Sequence, residues 1–133
     1  MKLVKAWEEE GVEIPAPYAR RIKVLLAPDK EGVEELTFSH AILPPAGRTD
    51  YHTHDRPEMI YVVSGNGICI DEDKEVIIEA DVVMWVPAGE RHQIINTGEE
   101  PLKLATVFIP AYTAEQNYQR CLKAAAQAST NRD

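Results

Sequence analysis

Residues 34–43 alternate with a period of two. Leu36, Phe38, His40 and Ile42 share one face, and Thr37, Ser39, Ala41 and Leu43 share the other, because successive side chains of an extended chain point to opposite sides. Pro44, Pro45 and Gly47 then stop the run. The same design recurs along most of the chain. Residues 18–26, 58–63, 68–70, 76–79, 82–86, 93–96 and 102–109 read as further strands. Turn-forming clusters at 28–32, 64–67, 80–81, 87–89 and 97–101 separate them. Many short strands punctuated in this way specify an all-β barrel or sandwich. The segment 64–67, Ser-Gly-Asn-Gly, reads as a hairpin turn. The charged tip 71–75 reads as solvated surface, since it lacks the turn glycine and the length of a calcium loop.

The two ends read differently. Residues 2–10 suit one short helix, which Gly11 would stop, and Pro15-Ala-Pro17 forbids regular structure next. Pro110 ends the β region. Thr113 and Gln116 fit a capping box. Ala114, Tyr118, Cys121, Leu122 and Ala125 then form a helical stripe, expected on the outside of the barrel or across a dimer seam. Residues 128–133 are expected to fray. The organisation is thus an N-terminal arm (1–17), a β-barrel (18–112) and a C-terminal helix and tail (113–133), all in the one domain that 133 residues imply.

A formal charge of −8 makes nucleic acid and anionic membrane poor partners. Arg48, Arg56 and Arg91 could hold an anion locally, against a simpler reading as solvated surface. No apolar run approaches a bilayer span, and the N-terminus reads as carrying no signal peptide. Two cysteines, Cys69 and Cys121, make no disulfide framework and suit a reducing cytoplasm. Cys69 reads as a small buried hydrophobe.

Chemistry concentrates in two short segments. Residues 47–65 hold His52, His54 and Glu58, and residues 87–92 hold His92. His52 and His54 sit two apart, so an extended backbone turns both to one side. Pro57 disfavours helix at Arg56, and a bend there would return Glu58 to the same point. Three imidazoles and a carboxylate suit a divalent transition metal, with Fe, Mn, Ni, Co, Cu and Zn left open. A His-x-His pair alone is weak, but three of the four histidines fall in these segments. The fourth, His40, lies on the apolar-facing side of its strand. It reads either as a core histidine or, if that face lines the barrel, as an acid/base near the metal. Tyr51, Tyr61, Trp85 and Gln93 are weaker ligand-contact candidates.

These residues resemble the two motifs of a small single-domain cupin. Gly47, His52, His54, Glu58 and Gly65 match the first motif, with one spacer a residue short. Pro87, Gly89, His92 and Asn96 match the second, whose leading glycine is replaced by Ala80-Asp81. That departure should alter one turn and leave the metal site intact. The resemblance implies a double-stranded β-helix (jelly-roll) barrel, and a homodimer in which the arm and residues 18–26 are the candidate exchanged elements. It also implies a divalent metal held by His52, His54, Glu58 and His92. It further implies a metal-dependent enzyme acting on a small polar organic molecule by oxygenase, isomerase, decarboxylase or lyase chemistry. A non-catalytic small-ligand-binding or sensor cupin is the alternative, since one fold hosts many functions.

Overall fold

A computed structural model describes residues 1–130. Nine strands run β1 (Val12–Ile14), β2 (Arg20–Leu26), β3 (Thr37–Leu43), β4 (Glu58–Ser64), β5 (Asn66–Asp71), β6 (Lys74–Glu79), β7 (Val83–Val86), β8 (His92–Ile95) and β9 (Leu102–Phe108), followed by helix α1 (Ala114–Thr130). They form a six-stranded sheet in the order β1-β2-β3-β9-β4-β7 and a three-stranded sheet β6-β5-β8. Pairing is antiparallel throughout. This is the all-β jelly-roll barrel with a C-terminal helix that the strand pattern and motifs imply.

The two sheets close on one core. Leu43, Ile60, Val62, Cys69, Ile78, Val86, Ile94, Leu102 and Leu104 are buried together, and they come from strands of both sheets. Cys69 is part of this core, and burial pushes its thiol up to about 11, so it is the inert small hydrophobe expected.

Two expectations for turns and ends need correction. Segment 64–67 is no hairpin: β4 pairs with β7 and β9, whereas β5 pairs with β6 and β8. The chain crosses there from one sheet to the other. Gly65 takes φ +89, and a Cβ would meet Pro101 O at 2.5 Å, so the crossing needs glycine. The true hairpin is β5–β6 around the charged tip. At the N-terminus, only Ala6–Glu8 forms a single 3-10 turn, and β1 pairs with β2 of the same chain. A few residues of helix-forming composition cannot nucleate a helix alone, and the open edge of β2 offers hydrogen bonds instead.

The Ala80-Asp81 departure is absorbed locally. Asp81 itself adopts φ 72, which a short polar residue tolerates, and its carboxylate accepts a bond from Tyr61 O–H.

Helix α1 begins as expected. Gln116 N–H donates to Thr113 Oγ1 at 3.0 Å, and Thr113 N–H donates to Gln116 Oε1 at 2.8 Å, the reciprocal capping box. Asp29 adds a tertiary cap, accepting from Ala114 N–H at 2.6 Å. Burial would raise the Asp29 carboxyl, but these backbone donors outweigh it and hold it below its usual range. The stripe buries Ala114, Tyr118, Cys121 and Ala125 against Ile14, Ile22, Val24 and Ala27. The Tyr118 hydroxyl oxygen accepts a bond from Val24 N–H at 2.8 Å. So α1 covers the inward face of β1 and β2, where an outside or seam position was expected. The inward side chains of β1 and β2 are thereby taken out of water by α1. Of residues 128–133, those to Thr130 are helical, and the rest lie outside the described residues.

Candidate metal centre

The first ligand segment lies extended along β8. Asn96 N–H donates to Gly47 O at 2.9 Å, Thr49 N–H donates to Ile94 O at 2.9 Å, and His52 and His92 exchange both backbone bonds at 3.0 Å. Gly47 fits here because a Cβ would sit 2.8 Å from Ala19 O. This pairing sets the His52 and His92 rings side by side, with centroids 4.4 Å apart. The His54 ring follows at 4.6 Å from His52. Asn96, the last residue of the second motif, is a clamp. Its side chain donates to Leu43 O at 3.0 Å and Glu100 O at 2.8 Å and accepts from Gly98 N–H at 2.9 Å.

Between His54 and Glu58 the chain bends, as Pro57 led us to expect. Asp55 accepts from Tyr112 O–H at 2.6 Å. Arg56 donates to Ala111 O at 2.7 Å, and its guanidinium lies 3.7 Å from the Tyr112 ring centroid. Arg56 is therefore a corner brace, neither an anion site nor free surface. Glu58 opens β4 aimed back at the histidines. Its Oε1 lies 3.1 Å from His92 Nε2 and 3.6 Å from His54 Nε2.

The ligand atoms of His52, His54, Glu58 and His92 all fall within 4.8 Å of one another. His54, Glu58 and His92 are 8%, 7% and 2% exposed, so the cluster is held inside the barrel. His52 Nδ1 lies 2.6 Å from Asp50 O and His92 Nδ1 lies 3.1 Å from Glu90 O. Donating to these carbonyls fixes the tautomer and leaves each Nε2 lone pair for a cation. Burial lowers His52 and His54 to about 3, with the Arg120 charge adding to the effect in both. Both are thus neutral at pH 7, the form that binds metal. At His92 burial opposes the charged form, but the neighbouring Glu58 outweighs it and the pKa is raised. The cluster can hold a metal ion: the donors are mixed N and O, converge, and rest on bonded backbone.

The structure does not bring His40 to this cluster. The inward residues of β3 are Thr37, Ser39 and Leu43, all buried, and Ser39 and Ala41 line the cavity beside the cluster. His40 faces the other way, opposite Lys23 and Ala105 on the flanking strands, edge-on to Phe38 with centroids 5.7 Å apart. Burial lowers its pKa, and Lys103 and Lys23 add to that. Alternation tells which residues share a face, and both faces of this strand carry apolar groups. Here the face with two hydroxyls turned inward, where Ser39 Oγ and Thr106 Oγ1 bond each other at 2.6 Å. Nor do Tyr51, Tyr61, Trp85 or Gln93 line that cavity. Gln93 instead donates to Thr49 O at 2.7 Å.

Sequence reasoning missed Arg20, Asn117 and Arg120, which line the cavity beside His52 and Glu58. Arg20 stands on β2. Asn117 and Arg120 stand on α1, three apart and just ahead of the buried Cys121. The helical stripe could have exposed Asn117, which falls one turn from both Ala114 and Cys121 on that same face. Arg120 Nη1 donates to Asp50 Oδ2 at 3.1 Å. Burial would raise Asp50, but His52, Arg120 and Arg20 outweigh it and lower the carboxyl.

A jelly-roll barrel holding a three-histidine, one-carboxylate cluster near one end defines a cupin. The chain belongs to the cupin family: the Cupin_2 model, described as "Cupin domain", matches residues 39–108. An uncharacterised protein of Methanocaldococcus jannaschii is 32% identical over 122 residues, covering 86% of this chain and 93% of that protein. An oxalate-binding protein of Thermotoga maritima is 36% identical over 73 residues, 54% of this chain and 60% of that protein. Among solved structures, a predicted oxalate decarboxylase from Thermotoga maritima superposes with a TM-score of 0.75 at 27% identity, covering 82% of this chain and 99% of that one.

Proposed function

We propose that this chain is a divalent-metal-dependent enzyme acting on a small polar organic molecule, with the ion held by His52, His54, Glu58 and His92. The observation that carries it is the convergence of four ligand atoms within 4.8 Å on backbone already locked to β8. A bound ion would supply Lewis acidity and open positions for substrate oxygen atoms. The protein's own part is orientation and exclusion of water. The carbonyls of Asp50 and Glu90 hold the His52 and His92 rings. Phe108, packed edge-on to His54 at 4.7 Å, seals one side. The reaction would be of the oxygenase, isomerase, decarboxylase or lyase kind. Matched relatives include an oxalate-binding protein, a tetracenomycin polyketide synthase protein and glucose-6-phosphate isomerases.

Elemental analysis tests the reading. Wild type should carry about one divalent ion per chain, and His54→Ala should lose it while keeping its circular dichroism spectrum. Equal metal content in the two would sink the proposal. A second reading, ligand binding without turnover, is favoured by the relative named as an oxalate-binding protein. A turnover screen of small carboxylates and phenols, under air and under argon, separates the two.

We also propose a cytoplasmic homodimer. Tyr61, Val63, Val83 and Trp85 are exposed on β4 and β7, an apolar face suited to a second copy. Because β1 is satisfied within its own chain, this face supports pairing better than exchange of the arm. Light scattering that gives the mass of one chain at micromolar concentration would refute the dimer. The two cysteines are free and buried, in keeping with a reducing compartment.

A further inference from the structure

The cluster opens into a cavity of about 50 Å³, which Arg20, Thr49, Asn117 and Arg120 line together with the four cluster residues. Its charges do not balance. Arg20 is 4% exposed, yet its guanidinium makes one good hydrogen bond, from Nη1 to Tyr18 O at 2.8 Å. Its Nη2 stands 3.7 Å from Asp50 Oδ1, beyond hydrogen-bond reach. Asp50 Oδ1 is itself buried without a partner, and so is Arg120 Nε. The remaining Arg120 contacts are Asp50 Oδ2 at 3.1 Å and the Cys121 sulfur at 3.4 Å. Asp50 alone answers two guanidinium groups, since Glu58 belongs to the ligand cluster. A divalent ion on that cluster would widen the positive excess. Arg20 is the buried charge here, with 3% side-chain exposure against 32% for Arg120, and a buried charge is costly unless a counter-charge meets it.

We propose that this cavity binds a small carboxylic acid as its anion, one carboxylate resting on Arg20 and Arg120 while the rest of the molecule reaches the metal. The proposal rests on the metal reading above and narrows its substrate class. Planar guanidinium groups match a carboxylate in two-point geometry. Asn117, 8% exposed on the same helix face, adds an amide that can donate or accept. One water needs roughly 10–15 Å³ of such space, so the cavity suits an acid of a few carbons. The selector is then not in the ligand motifs at all. It is carried by β2 and by α1, whose packing places Arg120 against the cluster.

Calorimetry on metal-loaded protein of measured metal content tests this, with malonate, its neutral diamide malonamide, and inorganic phosphate as probes. Malonate should bind wild type at least tenfold more tightly than malonamide or phosphate. Arg120→Met should weaken malonate about tenfold or more, the scale of a charged hydrogen bond, at unchanged metal content. Arg120→Lys should recover part of the loss. Equal affinity for malonate and malonamide, or unchanged malonate affinity in folded Arg120→Met, would overturn the anion site. Phosphate binding as tightly as malonate would overturn the choice of carboxylate. If Arg120→Met does not fold, Arg120→Gln is read in its place by the same criterion, since a divalent ion alone would prefer malonate to malonamide. Arg120-dependent malonate binding in a protein that takes no metal would sink the metal reading and leave the anion site standing. Full metal content without malonate binding would do the reverse.

Discussion

The two ends of the barrel are built from the same strands and have opposite chemistry. Along the inward side of β3 the residues run Thr37, Ser39, Ala41, Leu43, and along β4 they run Glu58, Ile60, Val62. On β8 His92 is followed by Ile94, and β9 read backwards gives Phe108, Thr106, Leu104, Leu102. The register aligns these series, since Leu43 pairs with Leu102 and Glu58 with Phe108. One pole is therefore hydroxyl, carboxylate and imidazole, while the other is a dry aliphatic core. Apolar burial stabilises the fold in proportion to area removed from water. Buried polar groups cost free energy unless each finds a partner. The polar pole is where stability is given up for a site, and the aliphatic pole holds the barrel together meanwhile.

The strongest way to break that comparison is to hollow the aliphatic pole. Leu102 is fully buried, and Leu102→Ala should destabilise by about 2–5 kcal/mol, the range for an aliphatic truncation that leaves a cavity. Metal stoichiometry of the folded fraction should stay unchanged. Chemical denaturation with parallel metal analysis reads both quantities, and a joint loss would show that the poles are not separable.

Acid should act on the polar pole instead. His52 and His54 fall from the usual 6.5 to about 3 in the fold. The unfolded chain therefore binds more protons between about pH 6.5 and 3. The stability these two contribute is complete above 6.5 and declines as pH falls through that window. His92 is raised, so its contribution runs the other way: it is present at low pH and lost as pH rises through its folded value. Two groups against one give a net loss on acidification. Melting of chelator-treated protein from pH 7 to 5 should show it, with a shallower slope in His54→Gln. A wild-type curve as flat as the variant's would contradict the burial of these rings.

The smallest effect belongs to the outward side of β3. His40→Gln should change stability by less than about 1 kcal/mol, as for substitutions away from buried networks, and leave metal content untouched. If it removed metal or lowered turnover of a substrate once found, the two faces of β3 would not be as distinct as their geometry indicates.

How much of this was legible in the chain depends on the range of the interaction. Local rules held where local forces decide. The capping box at Thr113 and Gln116 formed from residues three apart. The bend before Glu58 followed from the conformational limits of Pro57. The convergence of His52, His54, Glu58 and His92 was readable because motif spacing encodes it. The hairpin at 64–67 misled because a turn signal says that the chain reverses, without saying which strand it meets next.

By itself, then, the sequence determined most of the strand pattern from β2 onward, the clustering of His52, His54, Glu58 and His92, and the helix start, all products of backbone stereochemistry over a few residues. Tertiary structure decided which face of β3 turned inward, and so removed His40 from the centre. It also decided that α1 would cover β1 and β2, carrying Arg120 into the cavity beside Arg20 and against Asp50. Those outcomes depend on which buried surfaces fit together and on charges brought close from distant parts of the chain. Arg20 and Arg120 stand a hundred positions apart, and no period or spacing can bring them to one cavity. Packing does, because the apolar stripe of α1 leaves water by burying itself against β1 and β2.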